Sequence, residues 1–326
     1  MSETVLDVED LQTHFFTRSG LVKAVDGVSF SVAEGETLGI VGESGSGKSM
    51  TALSILRMVP APAGRIVGGK ILLRGENLLE KSEREMRKIR GRRISMILQD
   101  PMTSLDPVFT IGDQLAEPIR IHQKAQTTDV LARAREMLGL VKIPSPETRM
   151  NAYPHQMSGG MRQRVVGAIA LACQPELLIA DEPTTSLDVT VQAQFLALLK
   201  DVQRQLSLAM IIITHDFGIV ARICHRVAVM YAGRIVEAAD VRTLFRKPAH
   251  PYTVALLKSL PRLGAEAERL FTIGGQPPDP RHLPQGCSFA PRCARAMEVC
   301  RGEYPPQRVV AEHHVVSCYW AETNEG

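Results

Sequence analysis

No apolar run in this 326-residue chain approaches the roughly 18–20 residues that cross a bilayer, which excludes a helical membrane span of its own. The start, Met1-Ser2-Glu3, leads into acidic residues and lacks the basic-then-apolar order of a secretory leader. Neither sign of charge dominates: 38 Lys and Arg against 35 Asp and Glu leave +3, too little to imply nucleic-acid binding. The expectation is a cytoplasmic protein that reaches a membrane only through a partner. What the chain does have is 44% apolar residues, enough for one large or two moderate domains.

Gly42-Glu43-Ser44-Gly45-Ser46-Gly47-Lys48-Ser49 fits G-x-x-x-x-G-K-[ST]. The glycines let successive backbone N–H groups turn onto a polyphosphate; Lys48 offers a point charge to the β- and γ-phosphates, and the Ser49 hydroxyl can hold Mg²⁺. Thr37 to Val41 reads as a buried strand and Ser49 to Met58 as a helix whose first turn, with Met50, faces the anion. A second requirement is a metal-side carboxylate. Leu177-Leu178-Ile179-Ala180 reads as a central strand ending in Asp181, placed to orient Mg²⁺, and Glu182 follows, placed to polarise the attacking water. Between the two lies Met157-Ser158-Gly159-Gly160-Met161-Arg162-Gln163-Arg164, in which Ser158 is a natural N-cap and two glycines admit an anion to a second helix start. One ATP does not need both sites from one molecule, whereas two molecules head to tail would each complete the other's site.

At these residues the chain resembles the ATP-binding subunits of ABC transporters, whose signature is LSGGQ. The likeness runs from residue 5 to about 240. It implies that Gln99 is the Q-loop glutamine, touching metal and water, that Ser186-Leu187-Asp188 is the D-loop, with Asp188 at the nucleotide, and that His215 is the switch histidine at the γ-phosphate. Met157 and Met161 depart from Leu and Gln of the signature, with little loss of function expected because Ser158, Gly159 and Gly160 carry the phosphate contact; Ser186 departs from the usual alanine. Phe16 is the choice for stacking on adenine, with Phe15 close behind. The resemblance also implies a P-loop NTPase fold of the α/β class: a RecA-like parallel sheet, an antiparallel β-subdomain and a helical subdomain at about 100–160.

The pattern of elements agrees. Strands are expected at 5–11, 21–30, 37–41, 70–73, 94–98, 177–181, 209–213, 226–231 and 234–237, with Ala232-Gly233 as a hairpin turn. Helices are expected at 49–58, 113–122, 128–138, 160–173, 189–206 and 216–223. This gives an ATP-binding domain at 1–245 and an extension at 246–326, entered through a proline-rich connector with one helix near 252–259. The segment Asp100 to Pro107, with Pro101 and Pro107, reads as a stiff contact surface for membrane subunits.

Four of six cysteines, Cys287, Cys293, Cys300 and Cys318, lie near the end of the chain, separated by five, six and seventeen residues. In a cytosolic chain such clustering favours metal over disulfides, and spacing alone leaves zinc and an iron–sulfur cluster equally open. Residues 248–318 resemble the C-terminal extension of dipeptide and oligopeptide importer ATPases, through His250-Pro251-Tyr252-Thr253, Leu256-Leu257 and Gly286-Cys287 to Cys293, Cys300 and Cys318. That resemblance implies a 4Fe–4S cluster on the four thiolates, with zinc the alternative. Cys173 and Cys224 read as core residues. The module is expected to act apart from the phosphate loop, so that Cys293→Ser spares ATP binding.

Together these imply an ATP-hydrolysing subunit of a bacterial dipeptide or oligopeptide importer at the cytoplasmic face of the membrane. Its expected partners are a second, identical or sister ATPase, two membrane-spanning permease subunits and, indirectly, an external solute-binding protein, with no nucleic acid. A nickel or glutathione importer subunit is the alternative within the family. A soluble ABC ATPase acting on DNA or ribosomes is the rival of another class; residues 50–176 hold no long heptad run and the chain has one phosphate loop, which weighs against it.

Overall fold

A computed structural model describes residues 3–99, 104–123, 127–185, 187–260 and 271–321. The chain divides into two compact units: Met1–Asp7, Ser31–Thr37 and Ile71–Thr214 in one, Val8–Phe30, Leu38–Lys70 and His215–Gly326 in the other.

The first unit is built on three parallel strands, Ile94–Ile97, Leu177–Asp181 and Ala209–Thr214. Every residue of the last two is buried, as expected of parallel strands covered on both faces and written as unbroken apolar runs. The register sets Ile97 opposite Ala180 and Asp181 opposite Ile213. Helices Ile111–Gln123, Thr127–Leu140 and Gly159–Leu171 pack on one another, the helical insertion that the sequence predicts. Cys173 is a core residue, its thiol donating to the carbonyl of Pro118 at 3.4 Å. Helix Glu83–Ile89 is not in the sequence reading. It starts with a capping box, Ser82 accepting from the Glu85 N–H while Glu85 accepts from the Ser82 N–H, and the S-x-x-E pattern at 82–85 carried that signal.

In the second unit, strand Thr37–Val41 runs parallel to Arg226–Tyr231, which turns through Ala232 and Gly233 into the antiparallel strand Arg234–Asp240. Both turn residues have positive φ, 47° and 83°, the form whose twist suits a two-residue hairpin. The chain returns much later to extend this sheet. His314–Val316 pairs with Arg234–Asp240, and Arg308–Ala311 pairs with His314–Val316. Residues after 246 also share a core with these strands: Tyr252, Cys287, Phe289, Ala290 and Cys300 pack with Val41, Val227, Val229, Tyr231 and Val236. Glu237, fully buried, fastens the arrangement. Its carboxylate accepts the N–H groups of Ala249 at 2.7 Å and His250 at 2.9 Å and lies 2.8 Å from His314 Nε2. A buried carboxylate persists only with such partners.

Candidate nucleotide site and terminal cysteines

The phosphate loop, Gln99, Asp181-Glu182 and His215 lie where parallel strands end, the usual place for ligand chemistry in α/β sheets, whereas the signature follows the short helix Pro154–Gln156. Gly42 follows Val41, and the helix Lys48–Ile55 starts from Gly47, held at φ 105°. No side chain caps that helix, so its first N–H groups are left for an anion. A Cβ at Gly47 would lie 2.3 Å from the Ala24 carbonyl oxygen, and one at Gly42 would lie 2.2 Å from that of Met230. Only glycine fits these close approaches. Lys48, buried, donates from Nζ to the carbonyls of Gly42 and Glu43 at 2.9 Å each. The buried Ser46 hydroxyl has no hydrogen-bond partner among the described residues, while Ser44, Gly45 and Ser49 are exposed and Met50 half-buried. An uncapped helix start, a loop lysine and an unsatisfied hydroxyl fit a polyphosphate. Glu43 does something else, since its carboxylate pairs with Arg292 at 2.7 Å.

In the first unit Asp181 is buried at the strand end and Glu182 follows it half-exposed. Gln99 donates from Nε2 to Glu182 Oε2 at 3.0 Å, and Thr185 Oγ1 donates to the same oxygen at 3.0 Å. The register explains the meeting: Gln99 lies two residues past Ile97, and Glu182 two past its partner Ala180. Ser158 caps helix Gly159–Leu171 by accepting from the Met161 N–H at 3.4 Å. Ser158 and Gly159 are exposed, with nothing within 4 Å of a Cβ built on Gly159, and Met157 is buried in the place of the signature leucine. Gln163 donates to the Pro183 carbonyl at 2.7 Å and joins this helix to the segment after Glu182. Asp188 caps helix Val189–Leu206, accepting from the Val191 N–H at 2.9 Å. Residues 100–103 of the expected contact surface and Ser186 of the D-loop lie outside the described residues.

In the second unit His215 is exposed directly after Thr214. Phe16 is 52% exposed, with the Arg65 guanidinium 5.6 Å from its ring centre. Phe15 turns the other way, so that a Cβ at Gly64 would lie 2.8 Å from its ring. Of the two, Phe16 is the one open to a ligand.

The four terminal cysteines line one recess, together with His250, Phe289 and Trp320. Cys287 and Cys300 are buried, and the Cys287 N–H donates to the Cys300 carbonyl at 2.8 Å. Burial pushes the thiols of Cys287 and Cys293 up and that of Cys318 up to about 11. All four are free thiols. Among the described residues no group of three or more His, Cys, Asp or Glu is gathered tightly enough to hold a metal ion. The neighbouring His250 is fully buried. Its Nδ1 accepts from the Tyr252 N–H at 3.0 Å, and burial lowers its pKa to about 4.

A fold whose parallel strands end in these motifs is that of an ATP-binding cassette. The dimeric structure titled MJ0796, a bacterial ABC transporter cassette, superposes with a TM-score of 0.65 at 25% identity, over 73% of this chain and 99% of that one. Residues 25–185 match the family described as ABC transporter, and residues 236–300 match the oligopeptide/dipeptide transporter C-terminal region. A probable peptide ABC transporter ATP-binding protein of Sinorhizobium fredii is 54% identical over 98% of this chain and 95% of its own length. The dipeptide transport ATP-binding protein DppD of Bacillus subtilis is 50% identical over 97% and 95%. The oligopeptide transport ATP-binding protein OppD of Escherichia coli is 48% identical over 98% and 94%. The chain belongs to the ATP-binding proteins of ABC transporters, in the branch that carries this C-terminal region.

Proposed function

We propose that the chain is the ATP-hydrolysing subunit of a dipeptide or oligopeptide importer. The observation that carries this reading is near-complete coverage at 54% identity by a probable peptide transporter ATP-binding protein, with Glu182 and His215 both present. In this reading Gly42, Gly45, Ser46, Gly47, Lys48, Ser49 and Met50 bind the phosphates of ATP, and Phe16 stacks on its adenine. Ser158, Gly159 and Gly160 of a second subunit would close over the γ-phosphate from the opposite side, each subunit completing the other's site. Asp181, Ser49 and Gln99 would hold Mg²⁺, which neutralises charge on the phosphates when bound. Glu182 orients and polarises the attacking water, and His215 steadies the γ-phosphate. The hydrogen bond from Gln99 keeps the Glu182 carboxylate placed before a second subunit arrives. Binding would close the pair and hydrolysis reopen it.

The reading divides the chain into a cassette at 1–245 and an extension at 246–326. Among the described residues no helix is long and apolar enough to cross a membrane. As a subunit of such an importer the chain would sit at the cytoplasmic face, docked on two permease subunits fed by an external solute-binding protein. The four cysteines that line one recess would hold a 4Fe–4S cluster, as the resemblance of the extension implies, with zinc the alternative. Their sulfurs are free, and either four thiolates around one zinc ion or four around a cubane would use this set. The test is reconstitution with the permease subunits in vesicles. Peptide uptake that needs both ATP and this chain is the expected result; ATPase activity indifferent to permease and peptide, with ribosomes or DNA copurifying, would overturn it.

A further inference from the structure

Glu43 is the second residue of the phosphate loop, yet its side chain is held by the far end of the chain. Arg292 donates from Nη1 to Glu43 Oε2 at 2.7 Å and from Nη2 to Oε1 at 2.9 Å, a two-pronged pair. Nη1 also donates to the Tyr231 hydroxyl at 3.2 Å, and Nε to the Gly274 carbonyl at 3.1 Å. The Arg292 side chain is only 4% exposed. The Glu43 backbone N–H is also taken, donating to the Tyr252 hydroxyl at 2.9 Å. The two holders reach back to the cysteine recess. Arg292 immediately precedes Cys293, and Tyr252 donates its own N–H to His250, which lines the recess.

We propose that Arg292 and Tyr252 are positioning residues of the ATP site, which hold the phosphate loop through Glu43 and make nucleotide affinity depend on the order of the cysteine module. The proposal rests on the ATP-binding reading above. Two physical effects act together. Gly45 and Gly47 give the loop conformational freedom that must be removed before its N–H groups face a polyphosphate, and the bracket fixes one end. A carboxylate on this loop also stands in the field of the incoming phosphates, and Arg292 neutralises it. Arg292 serves as a fork, so lysine is a poor replacement. The independence of module and loop expected from the sequence gives way accordingly: Cys293→Ser, by loosening Arg292, is expected to weaken ATP binding.

The experiment titrates a fluorescent ATP analogue into the full chain, with circular dichroism melting to confirm the fold and iron measured on the same samples. Arg292→Met is expected to weaken binding roughly tenfold, the scale of a charge-assisted hydrogen bond. Arg292→Lys should recover part of this loss. Arg292→Met with Glu43→Gln should bind more tightly than Arg292→Met alone, because the uncompensated charge is gone. A general loss of stability would not produce that rescue. Tyr252→Phe keeps the packed ring, removes one acceptor and should give a smaller loss. Wild-type affinity in folded Arg292→Met and Tyr252→Phe, or losses that simply add in the double variant, would overturn the bracket. The two readings fail separately: wild-type chain that does not bind the analogue counts against the ATP-binding reading, while unchanged affinity in folded, iron-replete Arg292→Met sinks the bracket alone.

Discussion

Glu182 has φ of 45°, a left-handed conformation that a non-glycine residue adopts at a cost of about 1–3 kcal/mol and that clusters at functional sites. The turn is held by the Glu182 N–H, which donates to the Ile213 carbonyl at 2.9 Å, and by Gln99 and Thr185 on the carboxylate. Glu182→Gln preserves shape and removes charge. It is expected to keep ATP binding and lose on the order of 10²–10⁴ in turnover. ATP should then trap the closed pair, visible as a shift from monomer to dimer in size-exclusion chromatography; near-normal hydrolysis would remove Glu182 from its role. At the other end of the chain, a Cβ on Gly286 would lie 2.2 Å from the Cys300 carbonyl oxygen. Gly286→Ala should therefore part the Cys287–Cys300 backbone bond and make residues beyond 286 sensitive to protease, while the cassette stays resistant. Asp181 and Glu182 were legible in the sequence because they close an apolar run short enough to be a buried strand, and Gln99 through the family resemblance. Arg292 and Tyr252 were not. Their partner is 249 and 209 residues away, and no local pattern records a contact over that separation.

At the scale of elements, the signature helix presents Ser158 and Gly159 to solvent while its buried face carries Gln163 onto the Pro183 carbonyl. Such a helix start is built to meet something outside its own subunit. Lys48→Ala should abolish useful ATP affinity by removing the loop's point charge. Ser158→Arg should leave the loop intact and block closure. Neither variant alone should hydrolyse ATP, yet a mixture of the two should recover activity. In a mixed pair one site joins a mutant loop to a mutant signature and the other is intact. Activity that is independent of protein concentration, or absent from the mixture, would overturn the shared-site arrangement. Strands and long helices were readable here from period and apolar run. The hairpin of Arg308–Ala311 and His314–Val316 was not, because four- and three-residue strands are too short for alternation to show.

At the scale of the whole molecule, the terminal segment is short for a self-sufficient core; it shares packing around Tyr231, Tyr252 and Phe289, and the cluster proposed for the four-cysteine recess would be a second support. Protein purified without oxygen is expected to be brown, with about four iron and four acid-labile sulfide per chain. Cys293→Ser should bleach it. Colourless protein with one zinc per chain would replace the cluster with a structural zinc site, and no metal at all would defeat both.

The late hairpin has a consequence for how the protein behaves in company. Arg234–Asp240 would otherwise offer a row of unpaired N–H and C=O groups along its open side, a template for another chain. His314–Val316 takes up that side, with the Ser317 N–H on the Val236 carbonyl at 2.9 Å. The new border is a four-residue strand whose register breaks between Val309 and Ala311, too short and too irregular to recruit a neighbour easily. A chain stopped after Glu303 keeps Gly42–Ser49 and Arg292 but bares this border. Besides losing Cys318 from the recess, it should associate edge to edge, read as oligomers that grow with concentration and that the full chain does not form.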